Sequence, residues 1–407
     1  MSLRPAILLL AALSAPSAPI TPAEEPVRVL FVGNSYTYFN NLPALVRAMA
    51  EARGQVLETE MVAPGGWRLE DHFEKGEARA LLRDWPWDHV VLQEQSTLGT
   101  NLFVDGLARI AGDEVFHPWA EKWVEEITSA KAKPVFYLTW ARRASPADQA
   151  TLTRSVLRVA NPAHAAVAPA GPAFALVRAA RPELELFIED GSHPSPAGSY
   201  LAACTIYATL FGASPVGLPA KLSGPPVDLD TELVRDGEVA VLVDLGADDA
   251  RVLQESAWRA IQELEKERAA PQPAPEAPAL PPLPRGEPLS EAALAGTWQG
   301  TLAFSPTGPA DMTIELRAPA AKDGRWSASA RLEFHSRDAA DATLELTDLA
   351  VEADQLSFSV PKLAFGLDAQ LRAVLAGGEL DGRAEALRED GDRTLRVLGS
   401  WRLRRMP

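Results

Sequence analysis

Val29-Leu30-Phe31-Val32-Gly33-Asn34-Ser35-Tyr36-Thr37 decides how the first half of this chain folds. An apolar run stops at a glycine, and a serine follows two positions later. Such a run predicts a strand buried on both faces, as in a parallel sheet. The next periodic segment, 42–53, predicts a helix closed by Gly54. Ser35 therefore falls in the turn at the carboxyl end of a strand, where open α/β sheets bind their ligands. A serine there is a candidate nucleophile, and equally a helix cap or a turn former.

A second segment narrows the choice. Asp190-Gly191-Ser192-His193-Pro194 follows another apolar run, 184–189, expected as a strand. It precedes a helix expected over 197–211, whose start is marked by Ser195 and Pro196. An acid three residues before a histidine can bond the imidazole and fix its tautomer. The other ring nitrogen is then free to take a proton from a serine hydroxyl.

These blocks, Gly33-Asn34-Ser35-Tyr36-Thr37 and Asp190-x-x-His193, resemble those of the SGNH (GDSL-like) hydrolases, over residues 26–265. The resemblance implies a flavodoxin-like three-layer α/β/α sandwich and ester hydrolysis with no metal or other cofactor. It implies Ser35 as nucleophile, His193 as base and Asp190 as the residue that orients it. Pro64-Gly65-Gly66-Trp67-Arg68-Leu69 stands where the family carries an oxyanion-hole glycine. Gly66 is the expected backbone donor beside Ser35, with the Leu69 amide as alternative. The family's Gly-x-Asn-Asp is absent, and Val90-Val91-Leu92 runs into Gln93-Glu94-Gln95-Ser96 instead. A glutamine amide offers the same N–H type with one more methylene of reach. Gln95 is the expected side-chain donor, with Gln93 as its rival.

Composition limits the rest. The chain has 407 residues, 47% of them hydrophobic and 23% charged, enough for two or more packed domains. A net charge of −16 argues against a nucleic-acid partner and against anionic membrane surfaces. The single cysteine, Cys204, lies within an apolar helix and reads as a core residue. His72, His89, His117, His164 and His335 show no metal-ligand spacing. Asp71-His72 is a minor rival dyad. No Gly-x-Ser-x-Gly elbow, phosphate loop or dinucleotide fingerprint occurs. Trp67, Tyr36, Tyr38, Trp140 and Arg142 flank the expected strand ends, and either line a pocket or pack its rim.

Residues 1–23 read as a secretory signal peptide: a basic start, a short apolar core and small residues after it. A periplasmic or secreted location follows, with no later membrane-spanning segment. From 27 to 208 strand and helix signals alternate, with strands expected at 27–33, 55–62, 89–94, 134–139, 164–168 and 184–189. Helices are expected at 42–53, 114–131, 146–158, 172–180 and 197–211, then at 248–268; 213–246 gives no clear reading. A Pro/Ala-rich linker, 266–289, reads as extended and unable to pack a core. About eight short alternating segments then fill 290–407 and predict a mostly antiparallel, barrel-like β domain. Its Gly-Thr-Trp-Gln-Gly-Thr-Leu opening resembles small lipocalin-like accessory domains of secreted hydrolases. Such a domain spaces, stabilises, or binds a glycan or surface.

The expected function is a secreted serine esterase acting on small-acyl, carbohydrate-borne or other small-molecule esters. The alternatives are a glycan-binding protein on an SGNH scaffold and an acyltransferase using the same three residues.

Overall fold

The computed structural model describes residues 25–305, 308–318, 326–335, 341–364, 366–390 and 393–407. The signal-like segment 1–23 lies outside the described residues. The first unit runs β1 (Val27–Val32), α1 (Ser35–Tyr38), α2 (Leu42–Glu51), β2 (Leu57–Val62), α3 (Leu69–Lys75), α4 (Glu77–Asp84) and β3 (His89–Leu92). A hairpin, β4 (Asn101–Val104) and β5 (Leu107–Arg109), leads to α5 (Phe116–Ser129) and β6 (Lys133–Tyr137). Then come α6 (Asp148–Ala160), β7 (Ala166–Ala168), α7 (Ala170–Ala180) and α8 (Pro196–Phe211). A small antiparallel pair, β8 (Lys221–Gly224) and β9 (Ala240–Asp244), precedes α9 (Ala247–Glu267).

Five strands pair in the order β2-β1-β3-β6-β7, every pair parallel. The strand β1 shows why three layers form. Successive side chains point to opposite faces. Val29 and Phe31 enter one core with α2, α7, α8 and α9. Leu30 and Val32 enter the other with α3, α4, α5 and α6. Burial on both faces accounts for the unbroken apolar run. This order is that of a flavodoxin-like sheet, whose switch point lies between β1 and β3. The turn after β1 and the loop after β3 therefore flank the crevice.

The expected strand over 184–189 does not form. Only an isolated antiparallel bridge, Phe187 to Pro194, occurs there. Leu186 and Phe187 are buried, but against helices: Phe187 meets Phe174 of α7 edge-on at 5.5 Å. The apolar pattern was a packing signal rather than a ladder signal. The helix expected to close at Gly54 ends at Glu51. The unread stretch 213–246 supplies β8 and β9. Cys204 is fully buried, and burial pushes its thiol pKa up.

The second unit begins with α10 (Glu291–Leu294) and continues as β10 (Gly296–Ser305), β11 (Gly308–Arg317), β12 (Ser327–Phe334), β13 (Ala342–Glu345) and β14 (Thr347–Glu352). It ends with β15 (Gln355–Ala364), β16 (Leu367–Ala376), β17 (Glu379–Asp390) and β18 (Arg393–Arg405). These strands pair antiparallel in the order β13-β12-β11-β10-β18-β17-β16-β15-β14. Two strands consecutive in sequence thus stand at opposite ends of the sheet, which curls nearly closed around Trp298, Phe304, Phe358 and Trp401.

Among the described residues the β4–β5 hairpin joins the units. Strand β4 pairs in parallel with β18, Asn101–Val104 against Leu395–Leu398, making the larger sheet 11-stranded. At the hairpin tip Asp105 accepts the backbone N–H and the hydroxyl of Ser400 at 2.7 and 2.9 Å. The first two residues of the expected linker belong to α9, which ends at Glu267; the rest forms no helix or strand, yet it is docked, because Leu280 and Leu289 pack against apolar clusters of the joined units. No helix among the described residues is long and apolar enough to cross a membrane.

Candidate active site

Ser35 opens the four-residue helix α1 at the carboxyl end of β1. Asn34 caps this helix, its side-chain oxygen accepting the Tyr36 N–H at 3.2 Å. The turn is tight because Gly33 has no side chain. A Cβ there would stand 2.3 Å from Thr37 Oγ1 and 2.6 Å from Gln93 Oε1. Its carbonyl accepts from His72 Nε2 at 2.6 Å.

His193 comes from the loop between α7 and α8, and its Nε2 lies 2.9 Å from Ser35 Oγ. Its Nδ1 faces Asp190 Oδ2 at 2.5 Å. The other oxygen of Asp190 accepts the backbone N–H groups of Ser192 and His193 at 2.8 and 2.9 Å. Partial burial works against the Asp190 charge, but His193 and those two N–H groups outweigh it and hold its pKa below the ordinary value. The imidazole stacks on Phe39 at 4.5 Å and meets Tyr36 edge-on at 5.6 Å. Tyr36 in turn stacks on Trp140, whose indole N–H donates to the Ser192 carbonyl at 2.9 Å. Tyr36 and Trp140 thus form a buried wall behind His193 rather than a pocket lining.

The structure brings Ser35, His193 and Asp190 together, and it sorts the remaining candidates by which N–H groups are already engaged. In the glycine block, Gly65 N–H goes to Glu232, Trp67 N–H to the Pro64 carbonyl, Arg68 N–H to Asp71, and Leu69 N–H to Glu94. The backbone N–H groups of Gly66 and Ser35 make no hydrogen bond among the described residues. Leu69, the alternative to Gly66, is therefore occupied.

After β3, the Gln93 side chain is fully buried. Its amide nitrogen donates to Asn34 Oδ1 at 2.9 Å and to the Glu94 carbonyl at 2.6 Å, so neither hydrogen is left over. Gln95 is only half-buried, and its amide nitrogen has one long contact, to Ser96 Oγ at 3.4 Å. The strand ends at Leu92, so both glutamines lie in the loop beyond it.

His72 is no partner for a nucleophile. Its Nδ1 is buried without a partner, and burial pushes the imidazole down to about 4. It is a neutral donor to the Gly33 carbonyl. Arg142 donates to Ser96 Oγ at 2.9 Å, and Trp67 meets His72 edge-on.

Sequence reasoning missed two carboxylates. Glu94 accepts Gln95 N–H at 2.6 Å and Leu69 N–H at 3.3 Å, tying the glycine block to the glutamine loop. Burial raises its pKa to about 7. Its place beside Gln93 and Gln95 was the available signal. Glu232 holds Gly65 from a segment with no readable pattern.

No family model matches the sequence, and no curated protein matches it. Among solved structures, the chain is similar to a DUF4886 family protein from Bacteroides uniformis ATCC 8492, with 18% identity over 58% of this chain and 95% of that one and a TM-score of 0.42. It is similar to TesA at 17% identity over 46% of this chain and 98% of that one, with a TM-score of 0.37. A mutant of Axe2, an acetyl-xylooligosaccharide esterase from Geobacillus Stearmophilus, matches at 15% identity over 46% of this chain and 94% of that one, also with a TM-score of 0.37. In layer order and strand order the first unit is a three-layer α/β/α sandwich, with its serine, glycine and glutamine blocks at the carboxyl ends of β1, β2 and β3.

Proposed function

We propose that the protein is a serine esterase. The observation that carries the reading is the 2.9 Å approach of His193 Nε2 to Ser35 Oγ, with Asp190 on the opposite ring nitrogen. His193 takes the Ser35 proton as Oγ attacks the ester carbonyl. Asp190 keeps the proton of Nδ1 in place and stabilises the imidazolium. The oxyanion is received by the backbone N–H of Ser35, the backbone N–H of Gly66 and the Gln95 side-chain amide, each such donor being worth about 3 kcal/mol. His193 then protonates the departing alcohol, and water, activated by the same imidazole, releases the acyl group from Ser35.

The free N–H groups of Ser35 and Gly66 support this hole, as does the Gln95 amide, whose nitrogen has only the long contact to Ser96 Oγ. Small acyl esters, including sugar-borne ones, are the substrate class proposed, and export is the proposed destination. The test is turnover of p-nitrophenyl acetate by the full chain and by Ser35→Ala. Loss of turnover with an unchanged melting temperature is expected. Full activity in Ser35→Ala refutes the assignment. A chain-length series of p-nitrophenyl esters then reads the acyl preference.

A further inference from the structure

Between β8 and β9 the chain makes a flap, residues 225–239, that folds on itself. Asp228 organises it. Its Oδ1 accepts the N–H groups of Asp230 and Thr231 at 3.0 and 3.1 Å, and its carbonyl accepts Glu232 N–H at 2.7 Å. Its Oδ2 receives the Arg235 guanidinium at 2.5 Å. The Asn41 amide, donating to the Pro225 carbonyl at 2.8 Å, pins the base of the flap at the start of α2.

One side chain reaches from this flap to the site. Glu232 Oε2 accepts the Gly65 N–H at 2.8 Å, and Oε1 accepts the Tyr38 hydroxyl at 3.3 Å. Burial, then the Glu232 carboxylate, push the Tyr38 pKa up to about 12, so this hydroxyl stays a donor. Two features indicate a built contact. Glu232 has φ of 61°, a left-handed conformation that costs free energy for a residue with a Cβ. Gly65 also leaves the space the carboxylate uses, since a Cβ there would lie 2.3 Å from Glu232 Oε1.

The two groups it joins carry the oxyanion donors. Gly65 precedes Gly66, and Tyr38 closes the helical turn that Ser35 opens. We infer that Glu232 is a positioning residue of the oxyanion hole, clamping the glycine block to α1 and thereby fixing the directions of the Gly66 and Ser35 N–H groups. This rests on the esterase reading above. A carboxylate suits the task because it only accepts, and holds one donor on each oxygen.

The experiment uses the full chain and p-nitrophenyl acetate. Glu232→Gly is expected to lower kcat by about 10-fold or more with KM within about two-fold, the signature of a contact that matters in the transition state. Its melting temperature should not fall, because glycine adopts this φ without strain. Glu232→Gln keeps an oxygen for Gly65 and should restore most of kcat. Gly65→Ala should displace the carboxylate and lower kcat as Glu232→Gly does. The double variant should be no slower than the slower single, because the added methyl then occupies vacated space. The inference is overturned by a kcat near wild type in Glu232→Gly, by a rise in KM alone, or by additive losses in the double variant. A wild-type chain without turnover sinks the esterase reading, and this inference with it.

Discussion

Gln93 and Asn34 exchange two hydrogen bonds: the Asn34 backbone N–H reaches Gln93 Oε1 at 2.8 Å, and Gln93 Nε2 reaches Asn34 Oδ1 at 2.9 Å. Both side chains are buried, and the pair joins the ends of β1 and β3. The turn that carries Ser35 cannot shift without breaking it. Gln93 Oε1 also accepts the Thr37 hydroxyl at 2.9 Å. Gln93→Ala therefore orphans two buried donors, each costing about 1–3 kcal/mol. Urea unfolding should show a loss in that range or above it, and kcat should fall with it. Wild-type stability in this variant would show that the lock contributes little.

Asp190→Asn tests the orientation of His193. The amide oxygen can still receive the two loop N–H groups, but an NH2 then faces Nδ1 where a carboxylate stood. The imidazole responds by moving its proton to Nε2, which can no longer accept from Ser35. A loss of about 10³- to 10⁴-fold in kcat is expected, at a melting temperature close to that of wild type. A loss below about 10-fold would mean that the tautomer is set by some other group.

How much of this was legible follows the range of the forces involved. The run Val29–Val32 revealed the interior strand β1 because burial on both faces writes itself into consecutive residues. Ser35 and the Asp190–His193 loop were legible as local motifs, and their meeting across 158 positions required the sheet order. The run at 184–189 misled because an apolar side chain looks alike whether a strand or a helix covers it. Helix α1 has only four residues, too few for a period. The β4–β5 turn did carry a signal: Asp105-Gly106 is a two-residue hairpin pair, and both residues have positive φ. Glu232 offered none, because its partner lies 167 positions away and its own segment has no pattern.

The linker provides a prediction of its own. Arg383 donates from Nε to the Pro281 carbonyl at 2.7 Å and from Nη2 to the Pro282 carbonyl at 3.3 Å. Further along, Glu287 N–H bonds the Leu375 carbonyl at 2.8 Å. Arg285, a trypsin site followed by Gly286, lies between these anchors. Arg383→Ala removes the first anchor, and exposed, locally released backbone is what proteases cut. Limited trypsin digestion should cleave the Arg285–Gly286 bond about 10-fold faster in this variant. Equal rates would mean that the remaining contacts hold the linker unaided.

Glu94 and His72 oppose each other in the pH dependence of stability. Burial raises the Glu94 carboxyl from 4.5 to about 7, so the folded state keeps a proton that the unfolded state has lost. Its contribution is full below pH 4.5 and is lost as pH rises towards 7. Burial lowers the His72 imidazole from 6.5 to about 4, so the folded state refuses a proton that the unfolded state accepts. That contribution is full above pH 6.5 and is lost as pH falls towards 4. Each is worth about 3 kcal/mol across its window, and between the two ordinary values the slopes have opposite sign. Glu94→Gln removes one of them. Urea unfolding at pH steps from 4.5 to 7 should show the stability of this variant climbing relative to wild type by about 3 kcal/mol. His72→Gln should drift the opposite way over pH 4 to 6.5. A Glu94→Gln difference curve that stays level with pH would mean that the carboxyl is already ionised at pH 5 in the folded chain, with Leu69 and Gln95 N–H as its counter-donors.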